Sequence, residues 1–493
     1  MAGGGTRRTG GKAAGGGSPV RRAVRGGGVL AAALLLGAGT VLPAAADPGG
    51  SVRTVPGITQ RVSYGPGGSQ LDAPALGGGV SRDGRYVLFS SAADDLVPGD
   101  TNGIEDAFVR DTWTGRVQRV TVGDHGRQLT AKGLGGASLS ADGRYVAFDS
   151  AEPGLVDDDT DTRRDVFVFD RVTGRTVRAT SGPDGGGFDP AISGDGRYIA
   201  FSSTRRLDLP GGQRGHQNVF VLDRRTGTTR LASITNKGAV PVHPSRAATI
   251  SDDGQRVAFT ARTSSLPTDD PWDDTEEPEE TARTPEPRTD GSDAGTGTDP
   301  SIRKPTLYPL WVFDQSTGRV RSGSRGPKGQ LGATGGRIAP DGRHVAFIGW
   351  EIDERPGTPS GGLLRHRYVA YVHDLRSGKT TKVGLTADGG DGNGQDTRII
   401  TSGDGRWVYF TSSSDNLVPG DTDGRPDLFR HDLRTGRTGM VFDLGDAPDE
   451  VGAVTGVDRH GTALVVAGSD DAFGYPGDTN GHYDVFVRRV LPW

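Results

Sequence analysis

The chain has 493 residues, with 81 Gly, 30 Pro, 33 % hydrophobic residues and a formal net charge of −5. The absence of cysteine excludes a disulfide framework, thiol catalysis and a lipid-modified N-terminal cysteine. The acidic balance argues against nucleic acid or an anionic membrane surface as partner, and the Gly- and Pro-rich composition favours short strands and tight turns over helices.

In chain order, Arg21, Arg22 and Arg25 precede an apolar run from Val29 to Leu42, and Ala44-Ala45-Ala46 offers a small-residue cleavage site before Asp47. This predicts a secretory signal peptide over residues 1–46, with an apolar run too short for a comfortable membrane span. The Arg21-Arg22 pair permits twin-arginine export, although Ala23-Val24 matches that signal poorly. Residues 47–493 then carry 51 basic and 62 acidic residues, a net of −11. The expected location is extracytoplasmic, either secreted or on the cell envelope, without membrane insertion.

Beyond the leader the chain writes the phrase S-x-D-G-R-x-V-x-F seven times. The copies centre on Asp83-Gly84, Asp142-Gly143, Asp195-Gly196, Asp253-Gly254, Asp341-Gly342, Asp404-Gly405 and, degenerately, His460-Gly461. Recurrence every 50 to 90 residues means one supersecondary unit used seven times. In the third unit, strands are predicted over 188–193, 197–202, 218–223 and 228–232. Asp195-Gly196 favours positive φ and joins the first two as a hairpin. Four strands in a meander make one propeller blade. Runs such as Val166-Phe167-Val168-Phe169 are apolar without alternation, as a sheet covered on both faces requires. The predicted fold is therefore all-β, a seven-bladed β-propeller of four-stranded antiparallel blades over residues 47–493.

The seventh unit reaches only its third strand, from Asp484 to Arg488, before the chain stops at Trp493. Gly57 to Tyr64 reads like a fourth strand and precedes the first blade. The N-terminal strand is thus expected to close the last blade and remove an open edge. The fourth unit carries an insert at 264–306, between its second and third strands. Within it, Thr268 to Asp299 holds twelve acidic and two basic residues. Such a stretch cannot bury a core, and disorder is expected.

The S-x-D-G-R-x-V-x-F phrase followed by a D-V-F-V-x-D strand resembles the WD-like repeat of TolB-type β-propellers, from about Thr54 to the C-terminus. The resemblance implies the fold, and it leaves function open, because such propellers serve as adaptors, as enzymes and as gates to hydrolase domains. There is no room for the N-terminal domain of TolB proteins, and no hydrolase domain is expected behind the last strand.

The loops joining second and third strands carry the most distinctive side chains. They read P-G-D-T-N-G-I-E-D (Pro98 to Asp106), P-G-D-T-D-G-R-P-D (Pro419 to Asp427) and P-G-D-T-N-G-H-Y-D (Pro476 to Asp484), with a weaker form from Asp158 to Asp165. Oxygen side chains at the first, third and seventh positions around an early Gly resemble calcium loops, including those of integrin-type propellers, although the central D-G pair of the latter is missing. The candidate ligands are Asp100, Asn102 and Asp106, with Asp421, Asp423 and Asp427, and with Asp478, Asn480 and Asp484. Ordinary turn chemistry explains the same residues, and both readings stand. These blades are consecutive in a closed ring, so the loops share one sector of one face.

That face and the mouth of the central channel are the expected ligand site, with His125, Asp189, His243 and Asp396 in nearby connections. No G-x-S-x-G elbow or H-E-x-x-H pair appears, and no catalytic residue is identified. The favoured function is a non-catalytic, monomeric propeller that binds a protein or glycan and uses no cofactor other than calcium. The alternative is a stand-alone polysaccharide hydrolase or lyase whose residues converge from different blades.

Overall fold

The computed structural model describes residues 54–130, 133–180, 186–204, 216–241, 243–262, 308–326, 329–352, 366–444, 453–469, 473 and 479–491. The signal peptide (1–46) and the acidic insert (264–306) lie outside the described residues. Seven four-stranded antiparallel sheets form the ring. Blade one comprises Ala75–Val80, Tyr86–Ser91, Asp106–Asp111 and Val117–Arg119; blade two comprises Leu134–Leu139, Tyr145–Ser150, Asp165–Asp170 and Arg175–Arg178. In blade three the strands Phe188–Ile192, Tyr198–Ser203, Asn218–Asp223 and Thr228–Leu231 match the expected meander. Blades four, five and six repeat it, with first strands Arg246–Ile250, Ala333–Ile338 and Asp396–Thr401 and fourth strands Arg319–Ser322, Thr380–Lys382 and Thr438–Phe442.

Blade seven has the order Gly57–Arg61, Asp484–Val490, Ala463–Gly468, Ala453–Val457. The N-terminal strand pairs antiparallel with the last one, from Gly57 opposite Val490 to Arg61 opposite Phe486. The N–H of Val62 continues the ladder to the Val485 carbonyl. The ring is therefore latched by the expected strand.

The continuous apolar runs are explained by where the cores sit. Among the described residues there are seven apolar clusters, and each lies between two neighbouring blades. Between blades one and two, Leu88, Ala107 and Val109 meet Val146, Phe148, Phe167 and Phe169. Between blades seven and one, Val62, Phe89 and Phe108 meet Val465, Val485 and Val487. Each sheet is thus covered on both faces, which removes the alternation seen in half-exposed strands.

The D-G phrase does three structural jobs. Its glycine takes a left-handed φ of 68–72° in all seven copies. At Gly143, Gly196 and Gly254 a Cβ would also collide with the ring of Tyr86, Tyr145 or Tyr198 in the preceding blade. Its arginine makes a two-bond fork with the aspartate ending the third strand. Arg85–Asp111, Arg144–Asp170, Arg197–Asp223, Arg343–Asp374 and Arg406–Asp432 all do this, at 2.6–3.1 Å.

The third job belongs to the residue before the aspartate. Arg82 N–H donates to Ala141 C=O, Ala141 to Gly194, Gly194 to Asp252 and Asp252 to Pro340, at 2.7–3.1 Å. On the other side Gly403 donates to Asp458, Asp404 to Arg459, and Arg459 back to Arg82. The D-G hairpins thus hand a backbone hydrogen bond around the ring. Pro340 accepts one but has no N–H to pass on, so the relay stops between blades five and six.

Deleting residues 47–64 should leave the seventh blade with an open edge and lower the melting temperature; an unchanged melt would contradict the latch. The forks predict a pH signature. The Arg406 fork holds the Asp432 carboxyl down at about 2, below its unfolded value, so its stabilisation is complete above about pH 4 and lost as pH falls through 2. Arg406→Gln should cost about 1 kcal/mol at pH 7, allowing for screening at the exposed guanidinium. The difference from wild type should vanish between about pH 4 and 2, as followed by chemical denaturation.

Candidate functional site

The loops between second and third strands resemble each other in sequence, but their electrostatics differ. In blade one, Arg119 stands on the fourth strand opposite Phe108. Its Nη1 lies 2.8 Å from Asp100 and 4.0 Å from Asp106. The Asn102 amide nitrogen donates to Asp106 at 2.8 Å, and the Thr121 hydroxyl also donates to Asp106. Burial pushes the Asp106 carboxyl up, against these donors.

Blade two repeats the device. Arg178, opposite Phe167, reaches Asp159, Asp161 and Asp165 at 3.6, 3.4 and 2.5 Å, and Thr180 donates to Asp165 at 2.7 Å. In blade seven the latch strand supplies the arginine. Arg61, opposite Phe486, lies 3.3 Å from Asp484, and Ser63 donates to the same carboxylate. Asn480 donates to the Leu71 carbonyl at 2.8 Å; Asp478 lies outside the described residues.

Blade six departs from this plan. Met440 stands opposite Phe429, where the other three blades place arginine. Asp421, Asp423 and Asp427 bring carboxylate oxygens within 4.8 Å of one another. Asp427 accepts from the Leu444 N–H at 2.7 Å. Asp421 is 6 % exposed, and its Oδ2 is buried with no hydrogen-bond partner among the described residues. Burial first, then the neighbouring carboxylates, push Asp421 up to about 6 and Asp427 up to about 7.

A separate cavity of about 780 Å³ lies where the innermost strands of blades five to seven meet the loop face. Its wall includes Arg337 from blade five, Thr397 and Arg398 from blade six, and Val454 from blade seven. Tyr368, Gln395 and Ser413 line its rim, and Gly424 and Pro426 of the blade-six loop complete it. Arg337 and Arg398 have no hydrogen-bond or ion-pair partner among the described residues. Enclosure by the channel walls lowers the Arg337 pKa, and the charge of Arg398 lowers it further. Both side chains are nonetheless exposed to solvent.

The connection residues singled out by sequence are not gathered there. His125 is exposed in a single turn with φ 60°, and His243 is half-buried. The Asp189 N–H donates to Asp149, and buried Asp396 accepts from the Ala370 N–H at 2.8 Å. Arg337 and Arg398 escaped sequence reasoning. Their signal lay in comparing the seven first strands, where most copies carry small residues at the same positions.

No family model matches the chain, and no curated protein matches it. Among solved structures it is similar to oligogalacturonate lyase from Vibrio parahaemolyticus, at 12 % identity and a TM-score of 0.49, covering 90 % of this chain and 98 % of that one. It is also similar to the β-propeller domain of the Trilobed protease from Pyrococcus furiosus (12 % identity, TM-score 0.41, 73 % and 84 % covered). TolB from Acinetobacter baumannii gives 13 % identity and a TM-score of 0.35, over 74 % of this chain and 62 % of that one. At these scores none of the three says what this chain binds.

Arg178→Met would recreate the blade-six arrangement in blade two and leave Asp159 and Asp165 buried without their cation. The expected loss is about 3 kcal/mol at pH 7. Both carboxyls then have folded pKa values above their unfolded ones, so protonation favours the folded state and the deficit should shrink as pH falls toward 4. A deficit independent of pH in denaturant titrations would contradict this account.

Proposed function

We propose that this chain is an exported, non-catalytic propeller that binds a short, carboxylate-bearing glycan at the mouth of its central channel. The observation that carries this reading is the Arg337–Arg398 pair, two guanidinium groups without protein partners lining one cavity. The two guanidinium groups are exposed to solvent in the cavity and repel one another, and a bound anion would relieve that repulsion. A carboxylate matches the guanidinium fork, accepting two parallel N–H bonds. Gln395, Thr397 and Ser413 supply donors and acceptors for sugar hydroxyls, and Tyr368 supplies an aromatic face.

Charge supports a short ligand over a long polyanion. The whole chain is net negative, which opposes accumulation of a long polyanion along its surface. Among the described residues no carboxylate or histidine lines the cavity, whereas glycoside hydrolysis uses a pair of acids. A lyase reading retains one supporting observation. Tyr368 shares the cavity with both arginines, and β-elimination from a uronate needs a base beside a neutralised carboxylate.

A glycan array followed by calorimetry tests the proposal. Wild type should prefer acidic over neutral oligosaccharides, with affinity falling as salt rises. Arg337→Ala and Arg398→Ala should each weaken binding by about tenfold to a hundredfold. Equal affinity of both variants and wild type would refute the site. Accumulation of an unsaturated uronate product would replace binding by the lyase reading.

A further inference from the structure

The four like loops carry two solutions to one electrostatic problem. Each places an aspartate at the start of a third strand, and in blades one, two and six further aspartates of the loop lie beside it. In blades one, two and seven an arginine on the fourth strand lies among them, in register opposite Phe108, Phe167 and Phe486. These arginines contact the strand-initial aspartates Asp106, Asp165 and Asp484. A hydroxyl two residues further on, from Thr121, Thr180 or Ser63, donates to the same carboxylate.

In blade six both devices are missing. Met440 fills the arginine position and packs into the apolar core between blades five and six. The position of Asn102 and Asn480 is taken by Asp423, so a neutral amide is exchanged for a third full charge. The charges that weigh most on Asp421 are those of Asp423, Asp415 and Asp443, all negative. The Asp421 Oδ2 is buried and unpartnered among the described residues, and Asp421, Asp423 and Asp427 each bring one carboxylate oxygen within 4.8 Å of the others. Asp159, Asp161 and Asp165 form a like cluster in blade two, where Arg178 already contacts all three.

We infer that blade six binds one calcium ion through Asp421, Asp423 and Asp427, in the place that arginine occupies in blades one, two and seven. Carboxylate oxygens at loop positions one, three and seven form a hard-oxygen donor set, and backbone carbonyls and water would complete the shell. The arginine-filled loops do not bind the ion, because a guanidinium already supplies the charge. Gly424 and Pro426 of the same loop line the arginine cavity, so the ion would also fix part of that wall. This last consequence rests on the ligand reading above, whereas calcium binding without glycan tests the ion site alone.

The experiment is a calcium chloride titration of the metal-stripped full-length protein by calorimetry, with melts in calcium and in chelator. Wild type should bind one equivalent and melt a few degrees higher in calcium. Asp423→Asn changes an exposed position to the residue of blades one and seven, and should weaken binding at least tenfold without lowering the metal-free melt. Met440→Arg should abolish the calcium response by supplying the missing guanidinium. The absence of heat and of a melting shift in wild type would overturn the inference. So would a calcium response that survives undiminished in Asp423→Asn.

Discussion

The ring depends on a backbone hydrogen bond passed from one D-G hairpin to the next at every seam except that between blades five and six. Each blade is a complete antiparallel sheet, and its second and third strands are too apolar to stand alone. Side-chain packing between blades is non-directional and would tolerate many angles. The relay from Arg82 through Ala141, Gly194 and Asp252 to Pro340 is directional and fixes the pitch between neighbours. The Arg–Asp forks then tie each hairpin to the third strand of its own blade, so one short phrase sets both internal and external geometry. The left-handed glycine is what allows neighbouring hairpins to approach, since the preceding blade's tyrosine lies against it at three seams.

Much of this architecture is legible in the sequence because it is written in local signals. Asp-Gly pairs mark the hairpins, unalternating runs mark covered sheets, and the missing last strand marks the latch at Gly57–Arg61. The candidate site is less legible, for two physical reasons. The loops of blades one, six and seven have nearly the same residues, and what separates them is Asp423 in place of Asn102 and Asn480 together with two side chains on a neighbouring strand. Arg119, Arg61 and Met440 lie outside the loop motif and enter it only through strand register.

The channel arginines hide differently. Arg337 lies two residues before the phrase's serine position, where other copies carry Gly79, Ser138, Ala191, Thr249, Ile400 and Gly456. Arg398 lies four residues before Ser402, where the others carry Gly77, Gly136, Asp189, Ala247, Gly335 and Val454. Small residues keep a propeller's centre open, and a long cation there is a departure from the repeat. Taken singly, each arginine reads as an ordinary strand residue. The departures also gather in one sector, since Arg337 and Pro340 belong to blade five and Arg398 and Met440 to blade six.

Replacing an arginine by an ion changes the physical behaviour of a loop even when the net charge is the same. A guanidinium on the fourth strand is covalently present, keeps its charge at any ordinary pH and stitches the loop to the sheet permanently. A bound cation supplies charge only in proportion to its concentration. Three loops of this ring are stitched in the first way, around the latch and its neighbours, where the closure of the ring is at stake. The blade-six loop, if stitched in the second way, is the one whose Gly424 and Pro426 face the arginine pair. Conditional order would then fall on the wall of the cavity and spare the seam that closes the ring. That division places adaptability where a ligand enters and rigidity where the fold is latched.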